Sequence, residues 1–223
     1  MLVLFENVTK TYMDEKQPVE ALKGVSFHLK KGGFLSITGS SGSGKTTLMN
    51  IVGCLTHQDS GKFLLDGIDI SSLSPNRVSE LRNRSIGFVF QGFNLISSMT
   101  ALENVMLPLA LRGMDMASRR KAAVQALESV GLGDRMHHRP GRLSGGQQQR
   151  VAVARVIACR TPLILADEPT GSLDGHAASE VMDILARLNK EGVSILLITH
   201  DSGIASMATS RAEMRDGRLE MIR

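Results

Sequence analysis

Eight consecutive residues, Gly39-Ser40-Ser41-Gly42-Ser43-Gly44-Lys45-Thr46, carry glycines, a lysine and a hydroxyl at the spacing G-x-x-x-x-G-K-[ST]. The chemistry such a run can do is anion binding. Glycines let the backbone turn tightly, so successive N–H groups point inward and form a concave, positively polarised cradle. A helix opening at Lys45-Thr46-Thr47 adds its unpaired first amides and the positive end of its dipole. The lysine ammonium can reach β- and γ-phosphates, and the Thr46 hydroxyl is a ligand for Mg²⁺. A flexible Gly/Ser loop with a stray lysine would have a similar composition. The flanks argue against it: the apolar run Phe34–Thr38 precedes the loop and a helical Thr47–Val52 follows. The spacing and its flanks predict a nucleoside triphosphate site.

Two further segments could complete that chemistry. Leu163-Ile164-Leu165-Ala166 runs into Asp167 and Glu168, so a buried strand ends in two carboxylates. Beside a phosphate loop, Asp167 is a Mg²⁺ ligand, directly or through water. Glu168 is a base or orienting group for the water that attacks the γ-phosphate. Leu143-Ser144-Gly145-Gly146-Gln147 pairs an N-capping serine with two glycines ahead of a helix, a second helix N-terminus suited to anions. By itself this segment reads more readily as a capped helix after a flexible turn.

The elements that must position these groups alternate between β and α. Two strands, residues 2–12 and 19–30, are expected around a polar loop at Asp14-Glu15-Lys16-Gln17-Pro18. The phosphate loop and its helix follow, then a break at Asp59-Ser60-Gly61, a strand and turn at 62–67, and a short helix opened by Ser74-Pro75. Ile86–Phe90 is a compact apolar strand ending at Gln91. The pattern then turns helical: a T-x-x-E capping box at Thr100 and Glu103, a second helix from Ser118 to Val130 stopped by Gly131, and a third after Ser144. Beyond Asp167 come a helix near 175–190 stopped by Gly192, a strand at 193–199 and a short helix opened by Asp201. Asp216-Gly217 marks a hairpin.

At 223 residues the chain suits a single domain with a substantial core. We expect 1–92 and 159–223 to form its β/α part, and about 93–158 a helical subdomain. Aromatic residues are 4% with no Trp, which argues against a base-stacking nucleic-acid platform; the net charge of +4 decides nothing. Cys54 and Cys159 fall in apolar, helical-looking segments and read as small buried hydrophobes; the histidines show no ligand spacing. No signal peptide or membrane-length apolar run is evident, so a reducing compartment is expected.

Taken together, these motifs resemble the ATP-binding-cassette ATPases, whose signature sequence is Leu-Ser-Gly-Gly-Gln, and the resemblance runs from Tyr12 to Gly217. It implies an α/β P-loop NTPase with a RecA-like core, an antiparallel β subdomain and a helical signature subdomain. It also implies that Tyr12 stacks on adenine and that Gln91 is a Mg²⁺ ligand sensing a membrane partner. Ser172-Leu173-Asp174 corresponds to the D-loop, and His200 to the switch histidine at the γ-phosphate. ATP and Mg²⁺ are the implied cofactors, with Thr46, Gln91 and Asp167 serving the ion and Lys45, Gln91, Glu168 and His200 the reaction. The family pairs cassettes head to tail, so Ser144, Gly145, Gly146 and Gln147 of one copy would face the nucleotide of the other in a homodimer.

Phe88–Leu95, Thr100–Val105 and Ala166–Gly171 are similar to the macrolide-export and lipoprotein-release group, with a departure at Ile96-Ser97-Ser98 where a proline is expected. That likeness implies an integral membrane permease on a separate subunit, a periplasmic or extracellular adaptor as an optional partner, and a place on the cytoplasmic face of the membrane. The cargo would be amphipathic, and no nucleic acid is expected. Two alternatives stand beside it: a cell-division or signalling cassette that moves no solute, which shares every motif, and a soluble cassette of DNA or ribosome processes, whose relatives bring a long coiled coil, a zinc module or tandem cassettes not evident here.

Overall fold

The computed structural model describes residues 1–13 and 17–222. In chain order the elements begin with β1 (Val3–Met13), β2 (Pro18–Leu29), β3 (Phe34–Thr38), α1 (Lys45–Val52), β4 (Ser60–Leu65), β5 (Ile68–Asp69) and α2 (Pro75–Ser85). Next are β6 (Ile86–Phe90), α3 (Ala101–Leu111), α4 (Met116–Ser129), α5 (Gly145–Cys159), β7 (Leu163–Asp167) and α6 (Gly175–Lys190). Then follow β8 (Ser194–Ile198), α7 (Ser202–Ala205), β9 (Ser210–Arg215) and β10 (Arg218–Ile222). The chain divides into two compact units, Met1–Arg82 with Asn189–Arg223, and Asn83–Leu188.

In the first unit β1 is antiparallel to both β2 and β4, with β5 on the far side of β4. Alternating burial along β2 shows one face turned to a core. There Phe5 packs against Phe27 and Phe63 with ring centroids 4.9 and 4.8 Å apart. A second set of strands runs in the order β10-β9-β3-β8. β3 is parallel to β8 and β9, while β9 and β10 form an antiparallel hairpin. β8 is buried at every residue, as parallel strands covered on both faces are. The one hydroxyl buried in β3, Ser36, is satisfied by donating to the Ala205 carbonyl at 2.9 Å.

The second unit holds the parallel pair β6 and β7, in register from Ile86↔Leu163 to Phe90↔Asp167. α5 lies so close to β6 that a Cβ on Gly87 would stand 2.3 Å from Val156 Cγ1. Helices α3, α4 and α5 bury Val105, Leu109, Leu127, Val151 and Ala154 among themselves. Arg112 ties two helix ends together: its guanidinium donates to the Cys159 carbonyl at 2.6 Å, to Asn83 Oδ1 at 2.8 Å and to the Asn83 carbonyl.

Most expected elements are present, with local corrections. Of the loop expected at Asp14-Glu15-Lys16-Gln17-Pro18, residues 14–16 lie outside the described residues, while Pro18 already belongs to β2, paired with Met13. α4 opens at Met116, two residues early, because the Asp115 carboxylate accepts from the Ser118 amide and supplies the cap. Ser60 and Gly61 do not break the chain but begin β4. Gly61 has φ of 81° and sits against the Asn7 carbonyl, where a Cβ would be 2.3 Å away, so the strand passes only because the residue is glycine. Cys54 is not helical: α1 ends at Val52 and Cys54 occupies the turn beyond with φ of 53°.

Both cysteines are unpaired and buried, and burial pushes the Cys54 thiol up to about 11. The thiolate is the reactive form. In the native protein at pH 8, neither thiol should react with a disulfide reagent on the timescale at which both react in guanidinium. Absorbance of the released chromophore counts them.

Candidate nucleotide-binding and hydrolysis site

The phosphate loop leaves the carboxyl end of β3 and enters α1, with Gly44 in the N-cap position at φ of 107°. Its shape depends on close backbone approach. A Cβ on Gly39 would meet the Met214 carbonyl oxygen at 2.3 Å, and one on Gly44 the Ala21 carbonyl oxygen at 2.4 Å. The hairpin turn at Asp216-Gly217, where both residues have positive φ, completes the brace. Gly217 N donates to the Ser43 carbonyl at 3.0 Å, and the Gly217 carbonyl accepts from Lys23 N at 2.8 Å. Strand β2, the phosphate loop and the β9–β10 turn are thereby one hydrogen-bonded assembly. The loop itself stays accessible: Ser40, Ser41, Gly42 and Thr46 are exposed, and a Cβ on Gly42 would meet nothing within 4 Å.

The Lys45 ammonium bends back over this loop. It donates to the Gly39 carbonyl at 2.8 Å, the Ser40 carbonyl at 2.6 Å and Ser43 Oγ at 3.3 Å. The charge is therefore held at the loop's mouth beside the α1 N-terminus, where an anion gains from both. Because β8 is parallel to β3 with Ile198 opposite Ile37, Thr199 and His200 emerge at the same end as the loop. His200 is exposed, and the next residue, Asp201, caps α7 by accepting from Gly203 N and Ile204 N. Tyr12, 41% exposed at the end of β1, has Lys10 Nζ 5.5 Å from its ring centroid. Lys10 is anchored in turn by Asp59 at 2.6 Å. That hydrogen bond, with a second from the Thr11 amide, holds the Asp59 carboxyl below the usual range.

In the second unit the register Phe90↔Asp167 puts Gln91 and Glu168 one step beyond paired residues, at the carboxyl ends of neighbouring strands. Ligands of open α/β sheets gather at such ends. Glu168 has φ of 44°, a left-handed conformation uncommon for this residue, and Gly171 N closes the turn on its carbonyl at 3.0 Å. The Gln91 side chain lies against Gly171, where a Cβ would be 2.9 Å from Nε2, and Ser172 Oγ reaches the Gln91 carbonyl at 3.4 Å.

Ser144 caps α5 in a full capping box: Gln147 N donates to Ser144 Oγ at 3.3 Å and Ser144 N to Gln147 Oε1 at 3.0 Å. Gly145 packs beneath Leu173 and Phe93, and a Cβ on Gly146 would meet Ala177 Cβ at 2.7 Å. Asp174 caps α6 through Ala177 N at 2.9 Å. The signature glycines thus have a packing reason as well as a place at a helix N-terminus.

Sequence reasoning passed over three residues that organise this unit. Buried Asn104 accepts from Ile96 N at 2.7 Å and donates to the carbonyls of Ile96, Met99 and Thr100, shaping the segment after Gln91. Arg155 donates to the carbonyls of Phe93 and Asn94 at 3.3 and 2.8 Å. Gln149 donates to those of Phe90 and Pro169. The available signal was polarity on an apolar stripe: Gln149, Val153 and Val156 share one helix face.

The chain matches the ABC transporter family over residues 22–171. It belongs to that family. The ABC cassette is 46% identical over 97% of its length to an uncharacterized ABC transporter ATP-binding protein of Thermotoga maritima, covering 92% of that protein. It is 44% identical over 98% of its length to the macrolide export ATP-binding/permease protein MacB of Hyphomonas neptunium, of which it spans about a third, 34%. In three dimensions it is similar to the dimeric ATP-binding cassette MJ0796 bound to ADP and Pi, captured after hydrolysis. The TM-score is 0.90 with 42% identity and 99% coverage of both chains. The fold is the P-loop ABC ATPase fold, and the chain is an ATP-hydrolysing cassette of the transporter type. Among the described residues, no helix is long and apolar enough to cross a membrane.

Gly39→Ala should weaken nucleotide binding by tenfold or more, roughly the penalty of 1–3 kcal/mol for a strained backbone with a clash. Gly42→Ala, strained alike but with open space, should lose less. Titration with a fluorescent ATP analogue orders the two variants.

Proposed function

We propose that this ATPase works as a homodimer around two MgATP molecules and drives an integral membrane permease that exports or extracts an amphipathic substrate. The observation that carries the chemical part is the placement of its groups at carboxyl ends of parallel strands: the phosphate loop with His200 in one unit, Gln91 with Asp167 and Glu168 in the other. Lys45 and the loop amides of residues 39–47 bind the phosphates, and Tyr12 packs on the adenine. Ser144, Gly145, Gly146 and Gln147 meet the nucleotide held by the second copy.

Mg²⁺ fits the donor set. Thr46, Gln91 and Asp167 offer a hydroxyl, a carboxamide and a carboxylate, hard oxygen ligands few enough to leave positions for phosphate and water. The ion supplies neutralisation of phosphate charge. Glu168 accepts the proton of the attacking water or orients it, while His200 contacts the γ-phosphate. The transport part is supported by likeness to the MacB cassette region and by the motifs shared with that group. Bound to its permease, the cassette would sit at the cytoplasmic face of the membrane, with an extracytoplasmic adaptor as a further component.

Glu168→Gln should retain ATP, form an ATP-dependent dimer on size exclusion and hydrolyse at least about 100-fold more slowly, as loss of a general base does. Turnover at the parental rate would remove Glu168 from this role. The same variant, tagged and recovered from detergent-solubilised membranes with MgATP, should carry a membrane protein with it. Recovery of ribosomes or nucleic acid, or of no membrane protein, would remove the transport reading and leave the ATPase.

A further inference from the structure

Gln149 is completely buried near the start of α5, on the face where the helix otherwise places Val153 and Val156. Hydrocarbon is the usual occupant of such a position. Its Nε2 donates to the Phe90 carbonyl at 3.1 Å and to the Pro169 carbonyl at 2.5 Å. Both partners can only accept, so the orientation of the amide is fixed by chemistry: nitrogen faces them. Its Oε1 is buried with no hydrogen-bond partner among the described residues. A carboxamide that spends two donors and strands its acceptor is a poor device for stabilising a core.

It is a good device for fixing distances. One nitrogen spans the residue before Gln91 and the residue after Glu168, the ends of two neighbouring strands. Glu168 needs such a restraint. Its left-handed φ of 44° is intrinsically unfavourable, and the surrounding turn must impose it. The restraint comes from the helix whose first turn is Ser144–Gln147, so one side chain joins the signature segment to both groups beyond the strands.

We infer that Gln149 is a positioning residue for ATP hydrolysis, holding Glu168 and Gln91 in working geometry through the Pro169 and Phe90 carbonyls. This rests on the roles proposed above for Glu168 and Gln91. It touches neither nucleotide nor water; it acts through the backbone on either side of the groups that do.

The test is a double-mutant cycle with Gln149→Leu, which removes both donors and keeps most of the volume. Alone it should lower kcat about thirtyfold or more while KM for ATP and nucleotide Kd stay within about twofold, the pattern of lost transition-state geometry. Added to Glu168→Gln, it should cost the residual single-turnover rate at least about threefold less than it costs the parent, because one of the two groups it positions is already disabled. Equal losses in both backgrounds, a raised KM with kcat intact, or an unchanged kcat would each overturn the inference. Gln149→Met serves if the leucine variant does not fold, and failure of both to fold would make Gln149 a folding residue and overturn it too. The two readings fail separately. Parental turnover by Glu168→Gln sinks the assignment of Glu168, and the inference with it. Parental kcat for Gln149→Leu, in a protein that Glu168→Gln inactivates, sinks the inference alone.

Discussion

The phosphate loop exists because three stretches of backbone meet with no side chain between them. Gly39 lies under the Met214 carbonyl, Gly44 under that of Ala21, and Gly217 bridges Ser43 and Lys23 with its amide and carbonyl. Glycine is required at these points by distance as much as by dihedral angle, since any Cβ on Gly39 or Gly44 would enter a backbone oxygen. The brace fixes the backbone on which the loop amides sit and to which the Lys45 ammonium donates, so the cost of organising the loop is met during folding and not at the moment a nucleotide binds. The β9–β10 hairpin, far along the chain, is therefore part of the anion site without offering it a functional group.

The second unit solves a similar problem with side chains. Its two strand ends, after Phe90 and Asp167, lead into segments that contain left-handed residues: Phe93, Asn94 and Glu168 all have positive φ. Left alone, such backbone would relax. α5 restrains it, with Gln149 on the Phe90 and Pro169 carbonyls and Arg155 on those of Phe93 and Asn94. Asn104 of α3 fixes the segment that follows. Burial holds the Arg155 guanidinium below its ordinary range, yet it is paired to carbonyl oxygens by hydrogen bonds and remains a charged clamp. The helix that presents the signature segment and the helix that builds the strand-end geometry are the same helix.

Much of this was legible beforehand, and the legible parts share a property. The capping boxes of Thr100 with Glu103 and of Ser144 with Gln147, the positive-φ pair Asp216-Gly217 and the stop at Gly131 all arise within a few residues. Where a prediction slipped, a distant contact overrode the local signal. Gly61 looks like a breaker and is a strand residue because the Asn7 carbonyl needs the space. Cys54 follows an apolar helical pattern and lies outside the helix, in a turn where Arg82 donates to its carbonyl at 2.8 Å.

The sequence by itself determined which groups are available and on what kind of element each sits: a lysine and hydroxyl after a glycine loop, two carboxylates after an apolar strand, a capped helix behind two glycines. Spacing along one chain is enough for that, because helix, strand and cap are set by neighbours. Only the tertiary structure decided what holds those groups still. That Gly217 props Ser43, that Met214 forbids a side chain on Gly39, and that a glutamine on an apolar stripe reaches two carbonyls are facts about backbones brought together from distant parts of the chain. No local pattern encodes them, since each depends on a distance that exists only once the strands have paired.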